Sequence, residues 1–276
     1  GCGWSRSDVK NMGLVTHHPL SDWEAYKNYK FPNPNDPAIL IKARERLKTA
    51  GDRYRKAFIF MLLFERLHAL RGFANTLKDL YLEPEKLGEL ADRIVDYDIA
   101  VISMLSKEMG SEIDCLQFTD DWGTELACFI SKEMWDSFFK PRYKRIFDAC
   151  HQAGWHVWMH SCGKINEIIP SLIEIGVNVL NLQQPRTLGI EEIGRKFAGK
   201  VCFSSLCDIQ HTLPFANDDY IREEAALLLK HWATPQGGFI FSDYGDDEAI
   251  GAMPGKKQTM YEAFMANDPY TKTVHV

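Results

Sequence analysis

The chain is poor in the features that mark whole classes of protein. It has no basic stripe: 32 lysines and arginines face 38 acids, for a formal net charge of −6. Proteins that grip nucleic acid by its phosphates gather cations along one face, so no nucleic-acid partner is expected. Long apolar runs are also missing. The longest, AFIFMLLF from Ala57 to Phe64, stops at Glu65. A membrane-spanning helix needs about 20 apolar residues, so this run reads as a core strand or core helix and no membrane partner is expected. The opening residues do not read as a secretory leader, and none is expected. The seven cysteines are odd in number and scattered among apolar residues, which fits reduced thiols in a cytoplasmic enzyme rather than a disulfide framework. No glycine-rich phosphate loop follows a strand candidate, which counts against a doubly wound nucleotide-binding sheet. The first residue is Gly1 rather than methionine, as in a fragment or a processed form.

What is present is an alternation. With 276 residues, 45% of them hydrophobic, the chain suffices for one large core, and a single domain over 1–276 is expected. Residues 1–40 form an irregular arm, because Pro19, Pro32, Pro34 and Pro37 fix φ and remove donors from any ladder. Beyond it, apolar strand patterns at 57–64, 114–119, 155–160, 177–182, 200–206 and 238–242 alternate with helical periods. Pro84 opens the longest of these helices and Gly110 closes it, and another, over 131–154, carries Pro141 as a bend. Strands separated by helices of this length form parallel sheets. Six strands are two short of a (β/α)8 barrel, and an open sheet remains the alternative.

Every strand pattern runs out into polar residues. The first leads to Glu65, the second to Asp120 and Asp121, the third to His160 and Cys162, and the fourth to Gln183 and Gln184. The fifth leads to Cys207, Asp208 and Gln210, the sixth to Asp243 and Tyr244. Barrel enzymes place their sites at this end. His160 and Cys162 are two apart, so on a strand they share a face, and imidazole with thiolate suits zinc. A catalytic zinc needs about three protein ligands; Cys207 or Asp243 could supply the third. A structural histidine beside a small buried thiol explains the pair equally well. Asp120 and Asp121 read as a catalytic pair, one holding a cation while the other moves a proton, or as a helix cap. Arg71 could clamp a carboxylate or lie on a helix surface. Arg142, Tyr143 and Arg145 read as a solvated helix face.

FTDDWGTE, together with the stretch from ISKEMW through WHVWMHSCGK to NLQQP, resembles the uroporphyrinogen decarboxylase superfamily over roughly Pro19 to Phe264. It is closer to the cobalamin-dependent methyltransferase branch than to the haem-pathway decarboxylases. The resemblance implies a (β/α)8 barrel with its site at the C-terminal mouth. It also implies a His-x-Cys pair, here His160 and Cys162, that binds zinc with a later cysteine and activates a thiol toward a methylated corrinoid. The later cysteine is absent, for that region reads SDYGDDEAIG. An N-terminal strand-helix unit of the family is also expected to be missing.

Three functions follow from that resemblance. The first is a methyltransferase acting between a small methyl donor or acceptor and a corrinoid or thiol, with zinc and a corrinoid-carrying partner protein as its accessories. Catalysis would fall to Asp120, Asp121 and His160, and substrate binding to Glu65, Arg71, Gln183, Gln184, Asp208, Gln210 and Tyr244. The second is tetrapyrrole decarboxylation, and the third a corrinoid-binding relative without catalysis. A homodimer stays open.

Overall fold

The computed structural model describes residues 1–6 and 13–270. Six parallel strands build one sheet: β3 (Lys56–Ile59), β4 (Cys115–Thr119), β5 (His156–His160), β6 (Val179–Leu182), β7 (Cys202–Ser205) and β8 (Phe239–Phe241). They are hydrogen-bonded in chain order, β3 to β8, with no crossing back. A doubly wound sheet reverses its order at a switch point, and this one does not. The chain is therefore an α/β protein whose six-stranded parallel sheet is consistent with a barrel. Ahead of it, β1 (Gly3–Ser5) and β2 (Leu14–His17) pair antiparallel inside the arm, where only irregular chain is expected from the prolines.

Side-chain alternation divides the sheet into two faces. Leu116, Phe118, Val157, Met159, Leu180, Leu182 and Phe203 point outward. They merge with Ile94, Ile146, Phe147, Leu172, Ile193 and Leu228 of the surrounding helices into the main core. The inner face carries a much smaller apolar cluster, Cys115, Trp158 and Val179. One register row across that face reads Thr119, His160, Asn181, Ser204 and Ile240. Four of its five members are polar, and the row lies at the C-terminal end of the strands.

The first strand is shorter than the apolar run suggests. β3 stops at Ile59, Met61 takes a left-handed φ of 58°, and helix Phe64–Arg71 begins within the run. The cause is nonlocal: the carboxylate of Asp120, beyond β4, accepts the backbone N–H groups of Leu63, Phe64 and Glu65 at 2.8, 2.8 and 2.6 Å. Those are donors that a helix start leaves without partners. Glu65 therefore stands on a helix rather than at a strand end. The helix over 132–152 contains a π turn, Trp135–Phe139, directly before Pro141. Proline has no N–H for the carbonyl four residues back, and Lys140 bonds instead to Trp135. Helix Pro84–Met109 packs against Lys140–Gln152, and Asp218–Trp232 lies between Ile190–Phe197 and Lys256–Ala266.

Candidate metal centre at the strand ends

The two adjacent acids after β4 part company. Asp120 is fully buried. Besides the three N–H groups it accepts the Tyr143 hydroxyl, which itself accepts from Trp122 Nε1 at 3.0 Å. Burial pushes the Asp120 carboxyl up to about 6 even against those four donors. Its place is that of an anchor holding helix Phe64–Arg71 to the β4 end. Tyr143 is fully buried, not on a solvated face. Its helix neighbour Arg145 does lie outward, whereas Arg142 is largely buried against Phe138, and both pair with Asp92.

Asp121 points the other way, to the mouth. Its Oδ1 accepts the Cys162 N–H at 2.8 Å and lies 3.5 Å from His160 Nε2. Cys162 Sγ is 3.4 Å from the same Nε2. One ligand atom from each residue falls within 4.8 Å of the others, a grouping that can share an ion. Zinc bonds of about 2.0–2.3 Å in tetrahedral array separate their ligand atoms by about 3.3–3.8 Å, and the two spacings to His160 Nε2, 3.4 and 3.5 Å, fit. Nitrogen, sulfur and oxygen donors suit zinc, and three protein ligands leave one position open.

The histidine is oriented from behind. Asn181 Nδ2 donates to the Ser204 carbonyl at 3.0 Å, which turns its Oδ1 toward His160 Nδ1 at 2.9 Å. His160 Nδ1 therefore carries the proton, and the lone pair of Nε2 faces Asp121 and Cys162. The turn after β5 is equally constrained. Ser161 Oγ accepts the Trp122 N–H at 3.0 Å, and Gln184 Oε1 accepts the Gly163 N–H. Gly163 has φ +81°, and a Cβ there would lie 2.2 Å from the backbone of Gly123. Only glycine permits this approach.

Acid surrounds the trio. Burial raises the Cys162 thiol well above its ordinary value, and the charges of Asp121 and Glu65 raise it further. Burial, then Asp120 and Asp121, push Glu65 up to about 9. Its Oε2 is buried without a hydrogen-bond partner. Burial pushes His68, one turn further along the helix, down to about 4. Burial raises the Tyr244 hydroxyl above its ordinary value, and its electrostatic neighbours Cys162, Asp246 and Asp121 raise it further.

The remaining sequence candidates lie elsewhere. Cys207 is fully buried among the helices, with its N–H on Met260 Sδ and its thiol on the Ile221 carbonyl. It is not within the trio's reach. Asp243 is paired with Lys257 at 2.6 Å rather than grouped with His160. Asp208 is fully buried and accepts the N–H groups of Arg186, Gln210 and His211, while the Gln210 side chain is exposed. Arg71 is buried, bonded to Asp79 at 2.7 Å and stacked on Trp23; it ties the arm to the helices. Gln184 supports the β5 turn, and Gln183 contributes its carbonyl to Ile209. Two residues were not foreseen, Asn181 and His68. Asn181 had a visible signal, a polar residue inside the apolar strand VNVLNL.

A parallel sheet carries a mixed imidazole, thiol and carboxylate cluster at its C-terminal end, the end at which barrel enzymes place their sites. The model of the uroporphyrinogen decarboxylase (URO-D) family matches residues 59–245, and the chain belongs to that family. No curated protein matches it in sequence. Among solved structures it is similar to a methyltransferase from Methanosarcina mazei, at 15% identity and a TM-score of 0.62. That match covers 95% of this chain and 76% of the other. The native xylanase 10B from Thermotoga maritima matches at 9% identity and a TM-score of 0.41, over 84% and 93% of the two chains. No helix among the described residues is long and apolar enough to cross a membrane.

Proposed function

We propose that the protein is a methyltransferase, moving a methyl group between a small substrate and a corrinoid or thiol. Asp121, His160 and Cys162 would hold a zinc ion that organises the reacting heteroatom. The observation that carries this reading is the trio itself. Its donor set and its 3.4 and 3.5 Å spacings suit zinc, and Asp121 would take the place that sequence left to Cys207 or Asp243. Zinc, when bound, acts as a Lewis acid that lowers the pKa of a coordinated thiol. The chain's own contributions are separate from that. Asn181 keeps the His160 Nε2 lone pair forward, and the Cys162 N–H fixes Asp121. A corrinoid carried by a partner protein is the matching methyl carrier.

Tetrapyrrole decarboxylation is less well supported. It asks for a pair of acids to hold pyrrole N–H groups, whereas Asp120 already accepts four donors and only Asp121 faces the mouth. It also asks for a free arginine, whereas Arg71 is engaged by Asp79. The test is elemental analysis of purified protein, with about one zinc per chain expected, lost in Cys162→Ser. A companion absorbance assay follows demethylation of methylcobalamin with a thiol acceptor. Metal-free protein that leaves methylcobalamin unchanged sinks the proposal.

A further inference from the structure

A cavity of about 300 Å³ opens between the arm, the turn after β3, and helices Phe64–Arg71 and Pro84–Met109. That is the size of a small-molecule site, and none of the residues that line it belongs to the trio. Five aromatic rings form its walls: Trp4, Tyr29, Phe31, Phe60 and Tyr97. Tyr29 meets Phe31 edge to face with ring centres 5.0 Å apart, and Trp4 lies 6.3 Å from Phe60. Trp4 and Phe60 remain 47% and 40% exposed, so a ligand that covers them removes apolar surface from water.

The turn after β3 is bent to build this wall. Consecutive strand residues point to opposite faces, yet Phe60 and Met61 both line the cavity. The left-handed φ of Met61, 58°, allows it. Thr119 Oγ1 holds the bend by accepting the Met61 N–H at 2.9 Å. This conformation is disfavoured for any side chain but glycine, and strain of this kind gathers at ligand sites.

One cation lines the cavity as well. Arg66 directs Nη2 to the Phe60 carbonyl at 2.9 Å and Nε to the Leu62 carbonyl at 3.5 Å, which positions its guanidinium. Among the described residues, its Nη1 and the hydroxyls of Tyr29 and Tyr97 have no hydrogen-bond partner, and no carboxylate comes within 4.0 Å of Arg66. Asp98, next in the chain to Tyr97, is 1% exposed and does not line the cavity. A cationic ligand would meet a like charge. A hydrocarbon would leave three donors unpaired, and a bare anion would leave the rings in water.

We infer that this cavity binds a small aromatic carboxylate, with its ring among Trp4, Phe31 and Phe60 and its carboxylate on Arg66, Tyr29 and Tyr97. A guanidinium fork keeps its charge and matches a carboxylate in shape. The site is independent of zinc and of methyl transfer.

Calorimetric titration of the full, metal-stripped chain with 2-naphthoate tests this. Stripping the metal keeps the carboxylate from coordinating at the trio. The neutral control is 2-naphthamide, and the ring-free control is inorganic phosphate. 2-Naphthoate should bind about tenfold more tightly than either, a difference of about 1.4 kcal/mol. Arg66→Met should remove the advantage over the amide, and Arg66→Lys should recover part of it. Trp4→Ala, at a half-exposed position, should weaken acid and amide alike by about fivefold. Tyr97→Phe should weaken the acid alone, by about two- to threefold. These two variants report on the cavity even if Arg66→Met misfolds. Cys162→Ser should leave 2-naphthoate binding unchanged. The inference is overturned if 2-naphthoate does not bind, or if the amide or phosphate binds as tightly. An affinity for the acid that ignores Arg66, Trp4 and Tyr97 overturns it as well. So does loss of binding in Cys162→Ser, because the carboxylate would then sit at the trio.

Discussion

The ends of β5 and β7 carry the same vocabulary, a cysteine close to an acid, and use it in opposite ways. After β7, Cys207 faces the helices and Asp208 is fully buried under three backbone donors. Glu224 beside it accepts the Asp208 N–H and the Thr212 hydroxyl and pairs with Arg186. Nothing there is left to meet a ligand. After β5, His160 Nε2, Cys162 Sγ and Asp121 Oδ1 converge while each keeps bonding capacity toward the mouth. Residue type does not separate structure from function here; what separates them is whether the polar atoms already have partners.

The largest effect expected from that contrast is on stability. Asp208→Ala strips three buried N–H groups of their acceptor and should cost about 3–5 kcal/mol, read from the urea midpoint. Zinc content should be unchanged in whatever folds. Cys162→Ser should do the reverse, lowering zinc affinity by about 100-fold or more while moving the urea midpoint little; a competition titration with a chelator measures it. Equal losses of stability at the two positions would erase the distinction.

A third buried acid sharpens it. Asp98, on helix Pro84–Met109, is 1% exposed, and neither of its oxygens has a hydrogen-bond partner. Burial pushes it up to about 7, well above the usual carboxylate range. The folded form thus holds the proton more tightly than the unfolded one. Stability from this group is greatest at low pH, falls between about 4 and 7, and levels off above. Asp98→Asn should therefore gain about 2 kcal/mol at pH 8 and almost nothing near pH 4, seen in thermal melts at the two pH values. The smallest effect belongs to Asn181→Leu. Losing the partner that orients His160 should weaken zinc about tenfold with the ligands intact, and an unchanged affinity would show that the imidazole needs no such support.

Much of the fold was legible because its signals are local. Pro84 and Gly110 bracket the longest helix, Pro141 marks the bend, and five of the six strand patterns end close to where the strands end. The first strand was overextended because a carboxylate more than fifty residues away interrupts the run at Leu63. Sequence could not reveal that the two aspartates after β4 face opposite directions. His160 and Cys162 could be paired by period-two alternation, but their third companion comes from the neighbouring strand end. That choice depends on register, which places Thr119 beside His160 and so Asp121 beside Cys162.

The contact between Gly123 and Gly163 bears on how this site can change over time. The spacing of Asp121 and Cys162 is set by two main chains pressed together, with no side chain between them to adjust. Residues outside the two turns can change while the ligand trio keeps its dimensions. A gain of even one methyl group at either glycine would spread the β4 and β5 turns and dismantle the centre at once. The backbone thus makes the ion site a fixed inheritance and leaves its rim open to variation.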